Sequence, residues 1–286
     1  MLMHIQPFFD KDTSTVTYVV SDKATKRCAI IDPVLNYNPQ AGKTSTASAD
    51  KIIAYIKKSG LKTEWILETH VHADHLTAAS YLKENLGGKL GIGEHVVKVL
   101  AHWVKLFNTA YDTPLDGSQF DHLFKDGERF SIGNVQARVL HTPGHTPDSI
   151  SYLIEDAIFV GDTLFMPAIG TARTDFPGGS AKMLYRSIQR ILSLPDKTRI
   201  FHCHDYPPEG KKPRWESAVA EQKKNNAMVG SGVSEAAYVK ARNKRDKGKA
   251  VPRLLLPAIQ TNLRAGGFGE AEANDIQFIK IPLNQF

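Results

Sequence analysis

Apolar and polar positions alternate along the chain in short blocks, and two periodicities can be distinguished among them. Blocks with the alternation or continuous apolar character of strands are found at 15–20, 27–31, 65–67, 135–140, 157–160 and 199–206. Apolar residues at helical spacing are found at 48–60, 76–86, 94–108, 180–192 and 213–228. Strands and helices are interleaved, so periodicity alone predicts a mixed α/β protein with one large domain.

Composition is consistent with that prediction. The chain has 286 residues, of which 42% are hydrophobic, enough to bury a large core. No apolar run approaches the roughly 18 residues of a spanning helix, and residues 1–7 lack the features of a signal peptide. Two cysteines, Cys28 and Cys203, are too few for a disulfide framework. We therefore expect a cytoplasmic enzyme in a reducing compartment, with no membrane partner.

A cluster of possible metal ligands directly follows the apolar strand at 65–67. It is His70-Val71-His72-Ala73-Asp74-His75, and the helical segment 76–86 comes after it. The cluster therefore lies on a loop between a strand end and a helix start, where a rigid scaffold can direct several side chains at one centre. Neutral imidazole and carboxylate suit zinc, iron or manganese, so the sequence predicts a metal site here.

Two further candidate ligands follow other strands. His145 comes just after a Pro143-Gly144 turn, which places it on a loop beyond the strand at 135–140. Asp162 follows Gly161 at the end of the strand at 157–160, where glycine permits a close approach of the backbone. Both residues are therefore expected at a sheet edge.

The last candidate ligand is His204, in the segment Arg199 to Tyr206. If the whole segment is a strand, alternation places His202 and His204 on one face and turns Cys203 away from it. Cys203 is then expected to be a buried hydrophobe rather than a reactive thiol.

This order of ligands, HxHxDH followed by His, Asp and His, resembles the metallo-β-lactamase superfamily over roughly residues 1–226. The resemblance implies an α/β fold, the αββα sandwich of two mixed β-sheets flanked by helices. It also implies two adjacent metal positions. The implied ligands are His70, His72, His145 and Asp162 for one position and Asp74, His75, His204 and the shared Asp162 for the other. Residues 227–286 are expected to form a C-terminal extension packed on the same domain.

The segments between the ligands are similar to those of persulfide dioxygenases, the non-haem iron branch of that superfamily. They are Gly170 to Phe176, Lys182 to Ile188 and His204-Asp205-Tyr206. The resemblance implies oxidation of glutathione persulfide by O₂ to sulfite and glutathione, with one Fe(II) per subunit. The iron ligands that it implies are His70, His145 and Asp162. The other four candidates, His72, Asp74, His75 and His204, would lie beside them or form a second metal position.

Three residues are candidates for roles around the metal. Asp205 and Tyr206 directly follow His204 and are candidate catalytic partners, although a turn acid and a packed aromatic are equally consistent with the sequence. Arg173 is the candidate substrate-binding residue, because guanidinium pairs bidentately with carboxylates such as those of glutathione. The same side chain could instead brace its loop by pairing with Asp175.

Two other functions are compatible with the ligands. A glyoxalase-II-like thioesterase would use two metals, with zinc possible, to hydrolyse S-lactoylglutathione, and every ligand for it is present. A binding or sulfur-sensing protein with a structural metal is the other alternative. It is disfavoured because structural zinc sites are usually closed and rich in cysteine.

Basic residues are concentrated towards the C-terminal side. Residues 211–253 contain 12 Lys or Arg and 4 Asp or Glu, a balance of +8 within a total of +6. Such a patch can attract anions, including glutathione. It has few aromatics for base stacking, so we expect no nucleic-acid partner. The expected partners are glutathione persulfide and O₂, and a homodimer is the default oligomer.

Overall fold

The computed structural model describes residues 3–230 and 232–286, and within them fifteen strands and seven helices are defined. The strands are β1 Met3–Asp10, β2 Thr15–Asp22, β3 Arg27–Ile31, β4 Val34–Asn38, β5 Lys43–Ser45, β6 Lys62–Leu67, β7 Leu76–Thr77, β8 Lys89–Gly93, β9 His122–Phe124, β10 Arg129–Ile132, β11 Val135–His141, β12 Ile150–Ile154, β13 Ala157–Phe159, β14 Arg199–Phe201 and β15 Glu216–Ala218. The helices are α1 Ala47–Lys58, α2 Ala79–Leu86, α3 Val96–Phe107, α4 Ala181–Leu192, α5 Val219–Asn225, α6 Glu235–Asp246 and α7 Leu255–Asn262.

Twelve of the strands form two six-stranded mixed sheets. The first has the order β1-β2-β3-β6-β8-β9, with an antiparallel start and parallel pairing from β3 onwards. The second has the order β10-β11-β12-β13-β14-β15 and is antiparallel except for the β13–β14 pair. The three remaining strands form a small sheet of order β5-β4-β7.

The two large sheets bury their facing sides against each other. In β11, Val135, Ala137 and Val139 are buried while the residues between them are exposed, the alternation expected of a half-buried strand. One core cluster accordingly combines residues from both sheets: Val16, Tyr18, Val20, Ala29, Ile31, Leu67, Phe124, Val139, Tyr152, Ile154, Phe159 and Phe201. Burying this apolar area on a shared inner face holds the sandwich together.

Helices cover the outer sides of both sheets. The buried faces of α1, α2, α3 and α7 join the outer side of the first sheet in one core cluster. Residues of α4, α5 and α6 join the outer side of the second sheet in another. Ser180 begins α4 by accepting a hydrogen bond from the Met183 nitrogen at 3.3 Å, as expected of an N-cap serine. The predicted αββα sandwich is confirmed.

Two elements differ from the sequence prediction. The last ligand strand ends at Phe201, so residues 202–206 are not extended along β14. The predicted helix at 213–228 begins only at Val219, because residues 216–218 pair with β14 as an edge strand. At residues 216–218 the pairing with a neighbouring strand outweighs the local pattern.

Within residues 3–230 and 232–286, no helix combines the length and the apolar character needed to cross a membrane.

Candidate metal centre

All seven predicted ligands meet where loops leave the two sheets. His70, His72 and His75 are on the loop after β6, and His145, Asp162 and His204 are on loops after β11, β13 and β14. Each of these six is buried, whereas the Asp74 side chain is 28% exposed. Strand ends from different sheets therefore converge on one buried group of imidazoles and carboxylates.

The first group of donors consists of His70, His145 and Asp162. One ligand atom from each lies within 4.8 Å of the others. His145 Nε2 is 3.6 Å from Asp162 Oδ2. Two imidazoles and one carboxylate on one side of a centre are the set found in non-haem Fe(II) oxygenases.

The second group consists of His72, Asp74, His75 and His204, again within 4.8 Å of one another. His204 Nε2 lies 3.1 Å from Asp74 Oδ2 and 3.3 Å from Asp162 Oδ1. Asp162 therefore stands between the two groups, as the predicted shared ligand would.

The grouping of His72 differs from the ligand set that the superfamily resemblance implied. His72 does not fall within the 4.8 Å group of His70, His145 and Asp162. Its Nε2 instead lies 3.0 Å from Asp32 Oδ1 and 3.5 Å from Glu68 Oε2, two buried carboxylates behind the loop. These carboxylates engage Nε2 and leave Nδ1 without a hydrogen-bond partner, on a ring whose centroid lies 4.0 Å from that of His70.

The buried polar atoms fit a metal. Among the described residues, several buried ligand atoms have no hydrogen-bond partner: His70 Nε2, His72 Nδ1, His75 Nε2, Asp162 Oδ1 and His204 Nε2. An unpaired buried polar atom costs about 1–3 kcal/mol, so five in one place would be costly without a common partner. Metal–nitrogen bonds of about 2.0–2.1 Å put adjacent ligand atoms about 3–3.5 Å apart, close to the separations seen here. The donors therefore suit a transition-metal ion.

Hydrogen bonds on the far side of each ring orient the imidazoles. His145 Nδ1 donates to the Arg173 carbonyl oxygen at 2.8 Å, which leaves the Nε2 lone pair for the centre. His70 Nδ1 lies 3.0 Å from Thr69 Oγ1. His204 Nδ1 lies 3.2 Å from the Ser14 carbonyl oxygen. Such contacts fix the tautomer and the direction of each ligand.

Asp32 is a buried carboxylate that sequence reasoning missed. It accepts hydrogen bonds from the Thr69 nitrogen at 2.7 Å and from Thr69 Oγ1 at 2.9 Å, besides its contact with His72. Thr69 in turn contacts His70, so Asp32 positions both histidines. Its signal was an aspartate directly after the apolar strand β3, the same signal that identified Asp162.

Cys203 is placed differently from the prediction. Its sulfur donates to Asp32 Oδ2 at 3.7 Å, and it lies within 4.8 Å of ligand atoms of Asp162 and His204. His202 instead turns away, with its ring nitrogens 2.9 Å from the Leu164 carbonyl oxygen and 2.8 Å from Ser217 Oγ. The prediction that His202 and His204 share a face is wrong, because alternation ends with the strand at Phe201.

Burial and neighbouring charges shift the titration of the cluster. Burial lowers the pKa of His70 well below its ordinary value. Burial alone would raise the pKa of Asp162, but the imidazoles of His204, His70 and His145 outweigh it and hold this pKa far below its usual range. Burial opposes protonation of His72, yet Asp32 and Glu68 raise its pKa well above normal.

The three candidates for roles around the metal make different contacts within the protein. Asp205 is buried, but its carboxylate accepts a hydrogen bond from the Arg214 nitrogen at 2.6 Å. The Tyr206 ring stacks on His204 with centroids 6.0 Å apart. Burial, with Asp162 and Asp74, raises the Tyr206 pKa far above its usual value, so its hydroxyl stays protonated. Their catalytic roles stay predictions.

The Arg173 side chain is engaged within its own loop. Its guanidinium pairs with both oxygens of Asp175, at 2.6 and 2.7 Å, and donates to the Ala250 carbonyl oxygen at 2.8 Å. These contacts favour the bracing role that the sequence left open, and the carbonyl of the same residue orients His145. A role in substrate binding stays a prediction.

A cavity of about 350 Å³ leads to the ligands. Asp74, His145 and Asp162 line it together with apolar side chains such as Phe165 and Phe176. Its wall also contains four basic side chains, Arg173, Arg242, Arg245 and Lys249. The predicted basic segment therefore supplies the wall of the cavity beside the metal ligands. The predicted division of the chain at residue 226 stays a prediction.

Comparison with known proteins gives both hydrolase and dioxygenase names. The chain is 51% identical to a beta-lactamase hydrolase-like protein of Xylella fastidiosa (strain Temecula1) over 98% of this chain, and it spans only 64% of that relative. It is 49% identical to Glyoxylase B2 of Dictyostelium discoideum, covering 98% of this chain and 97% of the relative. It is 28% identical to the mitochondrial persulfide dioxygenase ETHE1 of Bos taurus, covering 92% and 88%.

The fold also matches solved structures. The crystal structure of ETHE1 from Myxococcus xanthus superimposes with a TM-score of 0.74 at 30% identity, covering 92% of this chain and 100% of that one. The model of the Metallo-beta-lactamase superfamily matches residues 10–204, a range that contains every predicted metal ligand. The chain therefore belongs to the metallo-β-lactamase superfamily.

Proposed function

We propose that this chain is a non-haem iron persulfide dioxygenase that oxidises glutathione persulfide. One persulfide, one O₂ and one water give glutathione, sulfite and two protons. The S–S bond breaks, the outer sulfur loses four electrons to dioxygen, and its former partner leaves as the glutathione thiol. Resemblance to the ETHE1 proteins supports this reaction, as does the geometry of the metal centre.

The observation that carries the proposal is the group of His70, His145 and Asp162, whose ligand atoms lie within 4.8 Å of one another without a ligand atom of His72. A facial set of two histidines and one carboxylate leaves the opposite side of the centre for reactants, whereas a fourth ligand would occupy part of it. Here the His72 ring packs on that of His70, with centroids 4.0 Å apart, but its ligand atom groups with those of Asp74, His75 and His204. When bound, a ferrous ion would supply positions for sulfur and O₂ and conduct electrons between them.

The charges of the cavity support glutathione as the carrier of the sulfur. Two of the four cations have other partners, since Arg173 pairs with Asp175 and the buried Arg242 pairs with Asp246. Arg245 donates to the Ile169 carbonyl oxygen at 3.2 Å, and Lys249 Nζ lies 3.9 Å from Asp246. We infer that Arg245 and Lys249 attract the carboxylates of the substrate, which keeps its sulfur near the ligands.

A second candidate function is a glyoxalase-II-like hydrolase of S-lactoylglutathione with two metals, zinc among the possible ions. The specific observation in its favour is the complete second group of donors, His72, Asp74, His75 and His204. The similarity to Glyoxylase B2 also favours it. The two functions differ in the number of metal ions and in the need for O₂, so one set of measurements separates them.

The test uses protein purified without oxygen and analysed for metal before any addition. We expect about one iron per chain, with oxygen uptake and sulfite formation on addition of glutathione persulfide and no hydrolysis of S-lactoylglutathione. Two zinc ions per chain, with thioester hydrolysis and no oxygen uptake, would overturn the proposal.

Ligand variants give a sharper version of the same test. The variants His70→Ala, His145→Ala and Asp162→Ala are expected to lose iron. His204→Ala serves as the matched control, because it removes an equally buried imidazole of the second group and should retain most of the iron. Loss of all metal from His204→Ala would indicate that the two groups hold metal together.

The setting of the enzyme is part of the proposal. Cys28 and Cys203 are both free and buried, which is consistent with a reducing, cytoplasmic environment. The proposed partners are small molecules, glutathione persulfide and O₂. A homodimer and the lack of a nucleic-acid partner stay predictions.

A further inference from the structure

Helix α7 of the C-terminal segment packs beside the ligand loop. Its residues Leu255, Ala258 and Ile259 are buried in the same core cluster as α2 and α3. The helix ends at Asn262, whose side chain is buried. The hydrogen-bond partners of this side chain lie 185 to 190 positions earlier in the sequence. A buried polar side chain needs hydrogen-bond partners, and at this position the ligand loop provides them.

Asn262 uses its whole amide group on the backbone of that loop. Its Nδ2 donates to the carbonyl oxygens of His72 and His75, both at 2.8 Å. Its Oδ1 accepts a hydrogen bond from the Thr77 nitrogen, also at 2.8 Å. Two acceptors and one donor determine the orientation of the amide, because the reverse orientation would place its oxygen against two carbonyls.

The bonded segment is the part of the loop that carries the second group of donors. The carbonyls of His72 and His75 flank Asp74, so the amide spans the turn that aims all three side chains. Residues 68–75 lie outside the regular strands and helices, and side chains therefore supply partners that a sheet or helix would otherwise provide. Thr77 also contacts the first residue of α2, since its Oγ1 accepts from the Ala79 nitrogen at 3.0 Å.

We propose that Asn262 is a positioning residue of the metal centre, acting as a clamp that holds the backbone of residues 72–77 in its metal-binding shape. It touches neither metal nor substrate and acts only through the loop. Through Asn262, the C-terminal segment supports the conformation of the metal-binding loop. This inference is independent of the reaction, because it concerns how firmly any bound metal is retained.

The experiment compares metal release from three full-length proteins loaded with their own metal. A coloured chelator in excess records the release rate, and substitution with Co(II) gives a visible spectrum that reports ligand geometry. Partners outside the ligands typically change metal affinity by about 10- to 100-fold. We expect Asn262→Ala to release metal at least about tenfold faster and to alter the Co(II) spectrum.

Gln260→Ala is the matched control. Gln260 lies on the same helix and is equally buried, but its amide donates to the Leu256 and Lys280 carbonyl oxygens rather than to the ligand loop. It should lose stability while its metal release and spectrum stay as in the parent protein. Equal release from both variants would show general loosening, and normal release from Asn262→Ala would refute the clamp.

Asn262→Ser covers the case in which the alanine variant does not fold. Serine keeps one donor and one acceptor on a shorter side chain, so an intermediate increase in release is expected. No increase would refute the proposal. Absence of dioxygenase activity in the parent protein would leave this test intact, because it measures metal and spectrum alone.

Discussion

The buried ion pair between Arg242 and Asp246 gives the most direct test of how the C-terminal segment supports the site. Their side chains are only 1% and 5% exposed. Arg242 also donates to the Thr171 carbonyl oxygen at 3.0 Å, and Asp246 accepts from the Thr174 nitrogen at 2.9 Å. The pair therefore links α6 to the loop whose Arg173 carbonyl orients His145.

The expected cost of breaking the pair follows from this burial. Arg242→Met keeps an unbranched apolar stem but leaves the buried Asp246 carboxylate with only Lys249 nearby, at 3.9 Å. Removing one partner of a buried pair costs about 3–5 kcal/mol, a large part of a typical stability of about 5–15 kcal/mol. Adding Asp246→Leu removes the unpaired charge, but the Thr174 nitrogen then lacks an acceptor at about 1–3 kcal/mol. The double variant should therefore be more stable than the single one.

Urea unfolding of the metal-loaded proteins measures these free energies. Arg186→Met is the matched control, because Arg186 pairs with Glu235 of the same helix at 3.0 Å but is 65% exposed. Exposed pairs contribute about 0–1 kcal/mol. A loss below about 1 kcal/mol in Arg242→Met, or a double variant less stable than the single one, would refute the reasoning.

Two further predictions concern the turn beside His145 and the anchoring of the segment after α7. Gly144 has a φ of +137°, and an added Cβ would overlap the Leu184 backbone. Gly144→Ala should therefore lower the free energy of unfolding by about 3 kcal/mol or more and reduce the metal content. Gly60→Ala is the control, because Gly60 also has a positive φ but lies in open space, and it should lower the free energy of unfolding by only about 1–2 kcal/mol. Burial alone would raise the pKa of Asp112, but the Arg264 guanidinium at 2.9 Å holds it below the usual 3.8. The ion pair of Asp112 therefore stabilises the fold fully above the pKa that Asp112 has in the unfolded chain. This stabilisation is lost as the pH falls through the lower pKa that Asp112 has in the folded protein. Asp112→Asn should be destabilised at pH 7 and approach the parent protein below pH 3.8, and a difference in urea midpoint that is constant over this range would contradict the assignment.

The ligands could be predicted from sequence because each is a chemically distinctive residue directly after an apolar strand. Strand ends in a layered fold meet at a common edge, so His70, His145 and Asp162 were expected to converge before any coordinates were known. The same rule would have identified Asp32, which follows β3 in an Asp-Pro pair. An aspartate before proline is also a common turn residue, so this signal is weaker than the one at Asp162.

Other features depend on contacts that no local pattern contains. Alternation misplaced Cys203, because the strand ends at Phe201 and its side-chain alternation does not extend to residues 202–204. Asn262 meets the ligand loop across 185 or more positions, and an asparagine at the end of a helix gives no sign of its partner. Sequence predicts which side chains carry chemistry, whereas the supporting contacts require the packed fold.

The same distinction governs how many metal ions the centre takes. The chain has every ligand of a two-metal hydrolase, so counting ligands cannot choose between hydrolysis and oxygenation. His72 is the ligand whose grouping differs between the implied set and the structure, and Asp32 and Glu68 contact its Nε2 from behind the loop. Both carboxylates are buried and neither belongs to the first ligand group. We therefore expect these acids to influence the choice between one iron and two zinc ions, because they orient an imidazole that both implied ligand sets could use.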